Sequence, residues 1–341
     1  MSILLTGCVA ACAPPPVDTA QSITLTLASV GTHAAQTLES ASGPPTRTPV
    51  VSTPEPSPTF GIPPSMTRVF SAGPGEPRLS QGFVIDYSSA ALADEHHAIA
   101  DNFQANILER PFTREAMGYQ PYLDVIRGEI SLEDGWIYVS ITLQDSPPPG
   151  AAVGYAVEFD LGLEGRGEWL IVTDPPASEQ WSNLGVRAYH DGNGDVGGAH
   201  PMTADPPPQV GDGYENLVVE DGRGPEADAA WARRVLGHAS RIQIAIRHDL
   251  VGGDERFLWS IWADGGPQQP RWFDYHDHFA LEGAGSALAN SRYYPLLELA
   301  SVDNTCRWAF GFTPTGSEPG ICRFERPTPA PSRTPTATPM H

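Results

Sequence analysis

Residues 153–172 read VGYAVEFDLGLEGRGEWLIV and, beyond a Pro175-Pro176 break, residues 184–198 read LGVRAYHDGNGDVGG. Val153, Tyr155, Val157 and Phe159 alternate with Gly154, Ala156, Glu158 and Asp160, the period of a half-buried strand. The loop Glu164-Gly165-Arg166-Gly167 turns the chain into a second apolar run, Trp169 to Val172. A third run, Val186 to Tyr189, ends in Asp191-Gly192-Asn193-Gly194-Asp195. Short runs divided by Asp/Glu/Gly loops point to antiparallel β-structure.

Outward from this centre the same pattern recurs. Ile137, Val139, Ile141 and Leu143 alternate with Tyr138, Ser140 and Thr142, and Ile242, Ile244 and Ile246 alternate with polar neighbours. Phe83 to Tyr87, Tyr122 to Ile130, Leu217 to Val219, Phe257 to Ala263, Leu296 to Ala300 and Trp308 to Phe312 also read as strands. Ala90 to Ile99 reads as a helical turn carrying His96 and His97, and Ala227 to Leu236 as a short helix. Many short strands with Gly/Pro/Asp turns predict an all-β fold, a single antiparallel β-sandwich of jelly-roll type, over residues 81–326.

Both ends differ from this centre. Residues 14–80 and 327–341 are rich in Pro, Ser, Thr and Ala, a composition with little to bury and many residues that forbid regular structure. They read as disordered spacers, the first a tether holding the sandwich off a surface. Within residues 1–13, MSILLTGCVAACA, the run Leu5-Thr6-Gly7-Cys8 resembles a bacterial lipobox whose cysteine is lipidated; Cys12 is the weaker candidate. The run before Cys8 is short and lacks a basic region, as if the true start lay upstream.

Of the 341 residues, the 20 basic ones are all Arg, and the formal charge is −21. So acidic a chain repels phosphate backbones and anionic headgroups, which argues against nucleic-acid binding and leaves a lipid anchor as the only membrane contact. Cys306 and Cys322 flank a strand, a Gly/Pro turn and a return strand, the arrangement of a disulfide in an oxidising compartment; two buried free thiols are the other reading. Together these features predict an exported protein on the outer face of the cell envelope.

The blocks AVEFDLGLEGRGEWLIV, GVRAYHDGNGDVGG, FDYHDHFALEGAGS and VDNTCRWAFGFTPTGSEPGIC resemble an uncharacterised family of exported bacterial β-sandwich lipoproteins, over about residues 80–325. The strand pattern is similar, in architecture alone, to DOMON domains and family 9 carbohydrate-binding modules, which implies a sandwich and transfers no ligand.

Three sets of residues are candidates for a site. Asp191, Asn193 and Asp195 place oxygens at alternate positions of a glycine-rich loop, and Asp160, Glu164 and Glu168 stand nearby, so the six could hold calcium. Val196 and Met202 exclude an EF-hand, and a tight turn needs the same residue types. His276 and His278, with Asp274, could form half of a metal site or a polar strand. Trp259 and Trp262 fall on opposite faces of one strand, so one of them could stack on a sugar, with Trp136, Trp181 and Trp272 as further candidates; core packing is the alternative. No Gly-x-Ser-x-Gly, His-Glu-x-x-His or phosphate-loop motif is present. The sequence thus favours a stalked binding module for an extracellular carbohydrate, calcium-stabilised, over an envelope scaffold that binds another protein or a metal-assisted hydrolase.

Overall fold

The alternation of apolar side chains over short runs is realised as strands in most of the runs read from sequence. The computed structural model describes residues 73–197, 213–266 and 279–322, all within one unit spanning residues 66–341. In chain order the strands are β1 (Gly82–Ile85), β2 (Glu109–Arg110), β3 (Val125–Glu133), β4 (Trp136–Leu143), β5 (Gly154–Asp160), β6 (Trp169–Thr173) and β7 (Val186–His190). They continue as β8 (Asn216–Glu220), β9 (Ala230–Val235), β10 (His238–Arg247), β11 (Phe257–Asp264), β12 (Val302–Asn304) and β13 (Trp308–Phe310). Helix is confined to 3-10 turns at Ser89–Glu95 and Phe103–Ala105 and one α-helical turn at Leu281–Ala284 among the described residues. None of these is long and apolar enough to cross a membrane.

The strands form two antiparallel sheets, a β-sandwich. One has five strands in the order β1-β3-β4-β10-β9; the other has eight, in the order β2-β12-β11-β5-β6-β7-β8, with β13 pairing β11. The hairpin β3–β4 shows how local chemistry sets register. Asp134 and Gly135 take φ of 52° and 80°, so Glu133 pairs directly with Trp136 through a two-residue turn that needs positive φ at both positions. That register turns Ile137, Val139 and Ile141 inward, where they meet Ile242, Ile244 and Ile246 of β10 and Tyr155, Val157 and Phe159 of β5.

Three expectations are corrected. Ala227–Leu236 forms no helix; its centre is β9, where Ala230 and Ala232 face the core and Arg233 points out to Gln243 and Glu76. Small alternating alanines suit a core-facing edge, and pairing with β10 overrides their helix preference. The strand expected at Leu296–Ala300 lies instead at Val302–Asn304. Both Trp259 and Trp262 are buried, at 0% and 2% exposure. They do point to opposite faces: Trp259 enters the inter-sheet core and Trp262 a second cluster with Leu108, Leu170 and Val302. Loops cover the outer face of the eight-stranded sheet, so neither indole offers a stacking surface to a sugar.

Cys306 and Cys322 are disulfide-bonded. Cys8, Cys12, Trp272, Asp274, His276, His278, Met202 and the tail from Pro327 lie outside the described residues. Residues 75–81, read from composition as the end of the tether, bind to the five-stranded sheet. Gly75 N–H donates to the Tyr138 hydroxyl (3.0 Å), the Arg233 guanidinium to Glu76 Oε2 (2.6 Å) and Arg78 N–H to Glu133 Oε1 (3.0 Å).

Candidate functional site

Where the two sheets approach at one corner, four acidic side chains from different elements meet. Asp86 directly follows β1 and Asp124 directly precedes β3, so pairing of these strands brings both to one end of the five-stranded sheet. Glu109 and Asp303 come from β2 and β12 at the edge of the other sheet, where they are direct cross-strand partners. Like charges at such positions are destabilising unless something neutralises them. Glu109, Asp124 and Asp303 are completely buried; Asp86 is half-buried as a residue, but its Oδ2 is enclosed.

Each carboxyl group uses one oxygen within the protein. Asp86 Oδ1 accepts from Tyr87 N–H (2.9 Å), Glu109 Oε1 from Ser89 Oγ–H (2.6 Å), and Asp303 Oδ2 from Val125 N–H (2.6 Å). Asp124 Oδ2 accepts from the Tyr119 hydroxyl (2.6 Å), Ser89 N–H (2.9 Å) and Ser88 Oγ–H (3.2 Å). The other oxygen of each (Asp86 Oδ2, Glu109 Oε2, Asp124 Oδ1 and Asp303 Oδ1) is buried with no hydrogen-bond partner. Asp86, Glu109 and Asp303 offer ligand atoms that all lie within 4.8 Å of one another, a convergence suited to holding a metal ion. Arg110 is also buried, but its guanidinium faces Asp101 (2.8 Å) and the carbonyls of Ala284 and Leu299.

Desolvation raises all four carboxyl groups above their ordinary range, as burial disfavours the charged form. Mutual repulsion adds to it: Asp86 acts on Glu109, and Glu109 on Asp303. Tyr119 is pushed up by burial and then by its bond to Asp124.

A second buried carboxylate shows the opposite arrangement. Glu158 on β5 accepts from Arg307 Nη2 (2.9 Å), Tyr214 Oη (2.9 Å) and Ser260 Oγ (2.8 Å), so both its oxygens are satisfied. Its desolvation is outweighed by the Arg307 charge, and its pKa lies below the ordinary value.

Of the six oxygen ligands expected from sequence, five accept from backbone amides, and the Glu164 carboxylate stands exposed 3.9 Å from Arg166 Nε. Asp160 accepts from the amides of Glu164 and Gly165, and Glu168 from those of Leu161 and Gly162. Asp191 accepts from the amides of Asn193, Gly194 and Val196; Asn193 accepts from Asp195 N–H, and Asp195 from Gly213 N–H. These side chains shape two turns. No three of the carboxylates among them converge within 4.8 Å, as Asp86, Glu109 and Asp303 do.

Comparison with known proteins finds no matching family model, no matching curated protein and no matching solved structure. The reading of function therefore rests on this chain's own geometry.

A separate feature occupies the outer face of the five-stranded sheet. Segment 75–81 crosses that face, with Trp181 Nε1–H donating to Gly75 O (3.0 Å) and Arg233 stacked 4.3 Å above the Trp181 ring. Beside this strap lies a groove of about 770 Å³, lined by Trp136, Tyr138, Glu133, Asp134, Arg247 and His248 among others. Trp136 and Trp181, named from sequence as further sugar-stacking candidates, thus both lie on this face.

Proposed function

We propose that the protein is a non-catalytic, surface-displayed binding module that holds a carbohydrate in the groove of the five-stranded sheet. The make-up of that groove carries the reading: Trp136 and Tyr138 lie at its floor with only their edges open (7% and 4% exposed), and Glu133, Asp134 and Arg247 stand around them. A sugar presents an apolar C–H face and a ring of hydroxyls, which match an aromatic floor with planar polar groups at its rim. The acidic groups at the groove suit this role. Hydrogen bonding from Arg233 holds Glu76 below the ordinary carboxylate range; in Glu133 an opposing desolvation is outweighed by the amides of Leu79 and Arg78. Ionised carboxylates accept hydrogen bonds from hydroxyls, whereas a general acid needs its pKa raised.

On this reading Cys8 carries the lipid anchor and the Pro/Ser/Thr-rich stretch before the sandwich spaces it from the outer face of the cell envelope. The test is binding of the full chain to an array of polysaccharides and oligosaccharides. The reading expects ligands whose binding is lost in Trp136→Phe and in Arg247→Ala variants that still fold. Silence across the array contradicts it.

A second reading, attachment to an envelope protein, is favoured by edge strand β1. Phe83 and Ile85, on one side of the strand, are 45% and 64% exposed, and Tyr87, beyond its end, is 62% exposed. It predicts sugar-independent cross-linking from position 87 in intact envelopes, lost when Ile85→Asp is added.

A further inference from the structure

We propose that Asp86, Glu109 and Asp303, with Asp124 beside them, bind a single hard divalent cation, calcium in the first instance, that clasps the edge of one sheet to the edge of the other. The inference is independent of what the groove binds.

Two observations carry it. The first is convergence. Two oxygens on opposite sides of a calcium ion, each about 2.4 Å from it, lie about 4.8 Å apart, so ligands of one ion fall within that limit. The ligand atoms of Asp86, Glu109 and Asp303 all do so, although the residues come from three separate elements. The second is the set of oxygens lacking partners. Buried polar atoms are nearly always paired, and an orphan calls for an explanation. Here Glu109 and Asp303, with no exposed surface, each keep one oxygen unpartnered, and Asp86 and Asp124 do the same. Of the eight buried side-chain atoms that lack a partner among the described residues, four, one from each of these carboxyl groups, gather at this corner.

The chemistry of the donors selects the ion. An all-carboxylate set is hard, anionic and without nitrogen or sulfur, which suits calcium, magnesium or manganese and disfavours zinc and copper. Calcium tolerates irregular oxygen sets, whereas magnesium demands near-octahedral geometry. The outer contacts are those of a held site: Ser89 Oγ–H fixes Glu109, and Val125 N–H fixes Asp303. Such supports orient ligands, and their loss weakens a site about 10–100-fold.

The full chain, stripped with a chelator and dialysed, would be titrated with calcium, magnesium and manganese while Tm and binding heat are measured. The expected result is one calcium per chain and a rise in Tm that grows with free calcium, since an ion bound only by the folded state stabilises it by mass action. Asp303→Asn and Glu109→Gln keep the shape of the side chains and remove charge; each should fold and lose the calcium response. Asp86→Asn, at the less buried side, provides a third variant should either fail to fold. Ser89→Ala should bind about tenfold or more weakly, and Asp195→Ala should respond as wild type. No binding of any of the three ions at millimolar concentration overturns the proposal. So does a calcium response that persists undiminished in the folded variants.

Discussion

Two buried acidic sites in one small molecule show how much a single partner matters. Glu158 has Arg307, Tyr214 and Ser260 on its oxygens, and removing one member of a buried ion pair leaves an uncompensated charge. Arg307→Ala should therefore cost about 3–5 kcal/mol in denaturant unfolding, and the double variant Glu158→Gln/Arg307→Met should recover much of it. The pH dependence has a defined sign. The folded pKa of Glu158 is depressed, so its contribution is present above the ordinary carboxylate value and is lost as pH falls through the folded value. The stability gap between wild type and Glu158→Gln should narrow from neutral pH downward through the carboxylate range; a gap that stays constant in chemical unfolding contradicts the assignment.

The corner carboxylates are the site that the sequence left unmarked. Asp86, Glu109, Asp124 and Asp303 share no spacing, because the site is assembled by strand pairing across the fold. A faint signal exists: VIDY, ILER, YLDV and SVDN each set one acid within an apolar strand-like run. An acid there must face either water or a partner. The DGNGD loop, by contrast, is conspicuous in sequence because turns and calcium loops draw on the same residue types. Its side chains in fact accept from backbone amides of their own loop or of Gly213.

At the scale of elements, periodicity reads strands well and exposure poorly. The alternation of β4, β5 and β10 is legible because each strand sends its large apolar residues to a single core. It also places Trp259 and Trp262 on opposite faces, but no strand-level pattern reveals that loops cover the outer face as well. The helix expected at Ala227–Leu236 failed for a related reason: propensity is local, and β9 exists by virtue of its partner β10. The core also dictates one glycine. A Cβ at Gly128 in β3 would lie 2.8 Å from Ile261 Cδ1 and 2.9 Å from Val84 Cγ1, beneath the Trp259 ring. Gly128→Val should thus destabilise by about 1–3 kcal/mol through overpacking, whereas Ile244→Ala, which leaves a cavity, should cost about 2–5 kcal/mol. Urea unfolding of both variants checks these values; a neutral Gly128→Val would mean that β3 and β11 are not packed as described.

The whole molecule is a sandwich with ties at separate places. The Cys306–Cys322 bond closes a loop with a sequence separation of 16 next to Arg307, and the acidic corner joins β1 and β3 to β2 and β12. Replacing both cysteines by serine should lower stability by about 3 kcal/mol, measured against wild type under oxidising conditions. The strap of residues 75–81 is a third tie, over the groove rather than between the sheets. Its Glu76–Arg233 contact is mostly exposed on the Glu76 side, so Glu76→Ala should change unfolding by less than about 1 kcal/mol while altering ligand binding. A groove ligand that binds Glu76→Ala and wild type alike would show that the strap plays no part in recognition.

The most direct test of the clasp is a crystal structure of the full chain grown with calcium, with anomalous data collected at long wavelength. The account predicts a peak between Asp86, Glu109 and Asp303, with carboxylate oxygens at about 2.3–2.6 Å from it. Carboxyl groups hydrogen-bonded to one another at about 2.5–2.7 Å, with no peak between them, would show that the corner holds protons instead of a metal ion.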